Sequence, residues 1–120
     1  MTKFERTKQF DLEDRTFQFA RRVIDFAGTL PESISNREII RQLVRSAGSV
    51  GANYIEANES LSRKDFLMRV KICRKESKEC RYWLLLTRLG SDKDDKERTL
   101  LVQEATELMK IFGSIVEKSR

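Results

Sequence analysis

Arg63-Lys64-Asp65-Phe66-Leu67-Met68-Arg69-Val70-Lys71-Ile72-Cys73-Arg74-Lys75-Glu76-Ser77-Lys78-Glu79-Cys80-Arg81-Tyr82-Trp83-Leu84 is the stretch on which the fold turns. Phe66, Val70, Cys73, Ser77, Cys80 and Leu84 recur at intervals of four, three, four, three and four. That spacing lines them along one side of an α-helix as the narrow seam of a helical bundle. Ser62, with Asp65 three residues on, has the form of an N-terminal cap, and Gly90 is the expected stop, so the helix is set over about 63–89. Near its end Tyr82-Trp83-Leu84-Leu85-Leu86 is apolar around the whole circumference, more than a helix on the rim of a monomeric bundle needs.

Working outward, Ser35-Asn36-Arg37-Glu38 resembles a capping box and predicts a helix over about 36–60. Its core row is Ile40, Leu43, Val44, Ala47, Val50, Gly51, Tyr54, Ala57 and Leu61. Ser46, Ala47, Gly48, Ser49, Gly51 and Ala52 form a patch of small residues in that helix. Two glycines there each cost about 1 kcal/mol against alanine, which points to close approach by another helix. Upstream, Asp11 as N-cap predicts a helix over about 12–27 that Gly28 and Pro31 end. Two apolar rows run along it, Phe17, Ala20, Ile24, Ala27 and Phe19, Val23, Phe26, Leu30, so two packed neighbours are expected. Downstream, Ser91, Asp92, Asp94 and Asp95 offer caps and first-turn anions for a helix over about 93–118 with the row Leu101, Ala105, Leu108, Phe112 and Ile115. No linker is long enough to separate a second unit, and residues 1–120 read as one all-α domain, an antiparallel four-helix bundle.

Composition agrees with helices and excludes much chemistry. Among 120 residues there are 5 Gly, 1 Pro and no His, and charged residues make up 36%. An average domain carries about 25%. Without His there is no Ser-His-Asp or Cys-His nucleophile pair and no imidazole ligand or acid–base group. The reading is therefore no enzyme, no cofactor and no metal. The N-terminus lacks the apolar core of a signal peptide, and no apolar run is long enough to span a membrane, so a cytoplasmic protein is expected. Cys73 and Cys80 lie two turns apart on one helix, roughly 10 Å, beyond the ~7 Å that a disulfide allows. They read as reduced core thiols.

The net charge of +5 is not spread evenly. Residues 63–90 hold nine basic and three acidic side chains, while the rest of the chain is nearly neutral. At about 100° per residue, Arg63, Arg74, Lys78, Arg81 and Arg88 fall on one side of the helix, with Lys64, Lys71 and Lys75 continuing around it. Two readings stay open: a surface that meets nucleic-acid phosphates without sequence preference, and a solvated face of an ordinary helix. Three carboxylate pairs, Glu56/Glu59, Glu76/Glu79 and Glu104/Glu107, invite comparison with the di-metal sites of bundles, but those sites also use Glu-x-x-His pairs. A polar layer with Arg45, Ser46, Ser49 and Asn53 accounts better for Glu56, Glu76 and Glu79. If Glu76 is buried opposite Arg45, Glu76→Ala should strand a charge.

The second helix, Arg41-Gln42-Leu43-Val44-Arg45-Ser46 through Ser49-Val50-Gly51-Ala52-Asn53-Tyr54-Ile55-Glu56-Ala57, resembles the signature of the ribosomal intervening-sequence family of small four-helix-bundle proteins. The likeness continues through Ser62-Arg63-Lys64-Asp65-Phe66 and Lys75-Glu76-Ser77-Lys78-Glu79-Cys80-Arg81-Tyr82-Trp83-Leu84, and the opening Phe10-Asp11-Leu12-Glu13 fits as well. Members include proteins encoded within bacterial 23S rRNA genes, and the accessory variability determinants of diversity-generating retroelements form a related branch. The resemblance implies a left-handed up-down bundle, assembly as a homopentamer and no assigned enzymatic activity. With it, the helix-3 stripe becomes a surface for RNA or another nucleic acid. The alternatives are an oligomeric protein-interaction scaffold, whose partner would meet the apolar Tyr82–Leu86 end, and an accessory subunit for a reverse transcriptase.

Overall fold

Helix-forming sequence with few breaks gives four long α-helices and no strand among the described residues: α1 (Lys3–Thr29), α2 (Ile34–Asn58), α3 (Arg63–Leu86) and α4 (Asp92–Lys118). The computed structural model describes residues 3–119, with side chains from Leu12 onward. The helices stand at the corners of a square: α1 packs on α2 and α4, and α3 packs on α2 and α4. Among the described residues the backbones of diagonal helices do not approach within 8 Å. The expected α3 seam is the floor of the core, with Val70, Cys73, Ser77, Cys80 and Leu84 buried and Phe66 packed beside them. Facing it are Leu43, Ala47, Val50 and Tyr54 of α2 and Leu101, Ala105, Leu108 and Phe112 of α4.

Several expected boundaries move, each for an identifiable reason. Nothing in 3–10 breaks a helix, and α1 runs straight through Asp11, which is therefore no cap. At its other end α1 passes Gly28 and closes at Thr29, whose hydroxyl donates to the Phe26 carbonyl. The cap of α2 is Ser33, not Ser35: its Oγ accepts from the Asn36 backbone N–H at 3.0 Å. Asn36 is buried, and its side-chain amide donates to the carbonyls of Pro31 (2.9 Å) and Arg88 (3.0 Å) while its Oδ1 accepts from the Arg88 N–H (2.9 Å). That clamp also stops α3 at Leu86, short of Gly90. Arg88 has its backbone bonded to Asn36, and the Thr87 carbonyl accepts from Arg98 at 3.0 Å. Gly90 serves instead as a contact point, where an added Cβ would lie 3.1 Å from Pro31 Cδ. α2 ends at Asn58, two residues before the expected limit, with Leu61 in the exposed turn and not in the core. Ser62 and Ser91 cap α3 and α4 as expected.

The two apolar rows of α1 also diverge. Phe19, Val23, Phe26 and Leu30 are buried, whereas Phe17 and Ile24 remain 58% and 51% exposed. α1 does meet two neighbours, α2 and α4, as expected, but of the second row Ala20 packs against the core while Phe17 and Ile24 face outward. The small patch of α2 divides likewise: a Cβ on Gly51 would stand 3.1 Å from Thr16 Oγ1, the close approach that the glycine suggested, while Gly48 faces open space.

The Asn36 clamp gives a sharp test. Asn36→Ala should lower unfolding free energy by about 2–4 kcal/mol in urea titrations, because it removes a buried side chain and three hydrogen bonds that join the two turns. Ser33→Ala should cost about 1 kcal/mol, and Ser35→Ala much less.

Candidate nucleic-acid interface and polar layer

α3 has three faces. Its seam enters the core, its Glu76/Glu79 side turns to α2, and its cations turn outward and toward α4. Lys71, Arg74, Lys75 and Lys78 line an open groove of about 510 Å³ that α4 completes with Met109 and Lys110. Arg74 lies against α4 at Gly113, where a Cβ would stand in ordinary contact, 3.7 Å from Arg74 Cδ. Among the described residues no carboxylate stands within 4.0 Å of Lys71, Arg74, Lys78 or Lys110. Arg63 and Lys64 are exposed at the start of α3, and Arg81 and Arg88 are exposed toward its other end, outside the groove. Of the eight stripe residues, the structure therefore gathers four, leaves Arg63, Lys64 and Arg81 elsewhere on the helix, and puts Arg88 past its end, since α3 closes at Leu86. Lys110 escaped the sequence reading because its place depends on how α4 registers against α3.

On the α2 side, Arg45 spans two carboxylates, with Nη1 3.6 Å from Glu76 and Nη2 3.6 Å from Glu79. Lys75 Nζ stands 3.7 Å from the other Glu76 oxygen. Ser46 is buried, donating to the Gln42 carbonyl at 2.8 Å and accepting from Arg45 at 3.4 Å. Asn53 donates to Ser49 Oγ and accepts from Arg69 Nη1, both at 2.9 Å. Arg69, missed at the sequence level, thus belongs to this layer. Glu56 does not join it: its side chain is exposed, and it is the backbone carbonyl of Glu56 that accepts from Ser60. The third carboxylate pair is taken up by Arg15, which donates to both oxygens of Glu104 at 2.8 Å and to Glu107 at 3.4 Å. Among the described residues no three His, Cys, Asp or Glu side chains converge as metal ligands.

Both cysteines are free and buried. Burial pushes the Cys73 thiol up to about 12, and Cys73 donates to the Val50 carbonyl at 3.4 Å. Burial raises Cys80 as well, reinforced by the charges of Glu76 and Glu79. Burial thus holds both thiols in their protonated form near neutral pH.

Two outcomes follow from these environments. Glu76 is buried opposite Arg45, as expected, but the Arg45 side chain is 54% exposed, so the charge that can be stranded is the carboxylate and not the guanidinium. Arg45→Ala should destabilise by roughly 1–2 kcal/mol in urea titrations, and Glu76→Gln by less, since the guanidinium left behind can hydrate. Because the folded thiols ionise later than unfolded ones, their contribution to stability is complete below about pH 9 and is lost as pH rises through about 12. Urea midpoints over that range should fall, and iodoacetamide at pH 8 should label the thiols only as the chain unfolds.

Comparison with known proteins agrees with this architecture. No helix is long and apolar enough to cross a membrane among the described residues. No curated protein matches the sequence. A solved structure of a protein of unknown function from the S23 ribosomal protein family of Bacteroides thetaiotaomicron is 30% identical, covers 87% of this chain and 96% of its own, and superposes with a TM-score of 0.73. The family model described as 23S rRNA-intervening sequence protein matches residues 8–114. On that match the chain belongs to the 23S rRNA-intervening sequence protein family.

Proposed function

We propose that this chain is a non-enzymatic, cytoplasmic RNA-binding protein that holds phosphates on α3 and works as a homopentamer of left-handed up-down bundles. The observation that carries the RNA reading is the groove in which Lys71, Arg74, Lys75 and Lys78 of α3 meet Lys110 of α4. Among the described residues Lys71, Arg74, Lys78 and Lys110 have no carboxylate within 4.0 Å, so they are poised to exchange solvent counterions for a phosphodiester backbone. Few aromatic rings accompany them, which favours a duplex over a stacked single strand. Direction reversal between α2 and α3 is supported by the order of their contacts, Asn53 with Arg69, Val50 with Cys73 and Arg45 with Glu76. Self-association is supported by Phe17, Ile24, Tyr82, Leu85 and Leu86, all large apolar side chains left substantially exposed on one chain. Five copies of a chain carrying +5 would make a particle of +25, able to engage one polyanion at several points.

The exposed Tyr82, Leu85 and Leu86 favour a second reading, a scaffold that meets a protein partner at that end of α3. Titration of a short RNA duplex across salt separates the two. RNA binding predicts affinity that falls steeply with added salt, and Lys71→Glu with Lys78→Glu should cut it at least about tenfold and flatten the log–log slope by about 2. Absence of binding at low salt would sink the RNA reading. Light scattering should give about 70 kDa, five times the 14.1 kDa chain; a mass near one chain would refute the pentamer.

A further inference from the structure

The face shared by α2 and α3 carries a polar site that its own chain leaves incomplete. Glu76 is buried, and its Oε2 has no hydrogen-bond partner. One guanidinium, that of Arg45, is stretched between Glu76 and Glu79 at 3.6 Å from each, and Lys75 comes no nearer than 3.7 Å. None of these contacts reaches the 2.7–3.2 Å of a well-made N–H···O bond. One turn past Glu79, the indole N–H of Trp83 is likewise buried without an acceptor.

Away from this face, α1 presents complementary groups. Arg21 is exposed between the half-exposed Phe17 and Ile24, and among the described residues no carboxylate lies within 4.0 Å of it. Asp25, one turn later, is exposed, and among the described residues no Lys or Arg nitrogen lies within 4.0 Å of its carboxylate. Since α1 and α3 occupy diagonal corners of the square, Arg21 has no route to Glu76 or Glu79 of its own chain. Complementary faces on two sides of one chain pair head to tail, and such contacts give a ring where the rotation between copies closes, not a two-fold dimer. The register agrees. Arg21 and Asp25 are four apart, and so are Glu79 and Trp83, each step rising about 6 Å in the same chain direction. Rotation about an axis parallel to the bundle keeps every α1 and α3 pointing the same way, as that match requires.

We infer that α1 of one copy docks on the α2–α3 face of the next. Arg21 takes Glu79 and so releases Arg45 to close on Glu76. Asp25 accepts from the Trp83 indole after a small rotation of the ring, and Phe17 and Ile24 are covered by the contact. The inference rests on the self-association proposed above, and its test separates the two.

Light scattering on the full chain, with helicity checked by circular dichroism, should show the ring mass for the natural sequence and about 14 kDa for Arg21→Glu. Adding Glu79→Arg to Arg21→Glu should restore the ring. Trp83 is the only tryptophan, so its emission should shift red in Arg21→Glu and return in the double variant. A natural chain that stays single overturns ring and contact together. A ring that Arg21→Glu leaves intact, or a folded double variant that stays single, overturns the contact alone. If the double variant loses helicity, Glu79→Gln decides: the ring should dissociate at higher protein concentrations than the natural one does, and an unchanged dilution curve overturns the contact.

Discussion

A single buried carboxamide sets the register on which the rest depends. Asn36 bonds to Pro31 in the α1–α2 turn and to both backbone groups of Arg88 just past α3. It therefore fixes where α2 begins, where α3 ends and how the two lie against each other. A side-chain amide can do this because it offers the same donor and acceptor as a peptide group, and so satisfies backbone that a helix end leaves unmet. With α2 and α3 held there, Arg45 falls opposite Glu76 and Glu79, and Asn53 opposite Arg69.

The second organising feature is how α3 divides its charge. Its acidic pair turns to α2, where Arg45 meets it, and Lys71, Arg74, Lys75 and Lys78 turn toward α4, where the first residues they meet are Met109, Gly113 and Lys110. Segregation of this kind keeps the two signs from cancelling across the helix. It leaves one side of α3 nearly neutral and the other strongly positive, a distribution that a net charge of +5 conceals.

Much of this was legible in the sequence. The four-three seam of α3 located the core, Ser62 and Ser91 marked true helix starts, and Gly51 marked a real close approach. The failures share a cause: each turned on a contact between segments distant in sequence. Ser35 has better local capping form than Ser33, but Asn36 must lie where it can reach Arg88. Gly90 is a good local stop, yet the same clamp ends α3 earlier. Phe17 and Ile24 have core spacing but face outward, because a corner helix of a square bundle buries one stripe. Glu56 was grouped with the polar layer and Arg69 omitted, since periodicity places residues on a side of a helix without saying how far round the neighbour reaches.

The two ends of the bundle are not mechanically alike. At one, the α1–α2 and α3–α4 turns are stitched together: Asn36 reaches Arg88, Thr29 donates to Asp94 at 2.8 Å, Asp94 accepts from the Gly90 N–H at 3.1 Å, and Gly90 abuts Pro31. At the other, among the described residues, the α2–α3 turn is held by its own local bonds and by one bond across to α1, Asn58 to Glu13 at 2.8 Å, and Leu61 is fully exposed. Local opening then has a preferred origin. The chain should loosen from the α2–α3 turn as a zipper opens from its free end, with the stitched turns the last to exchange their amide protons.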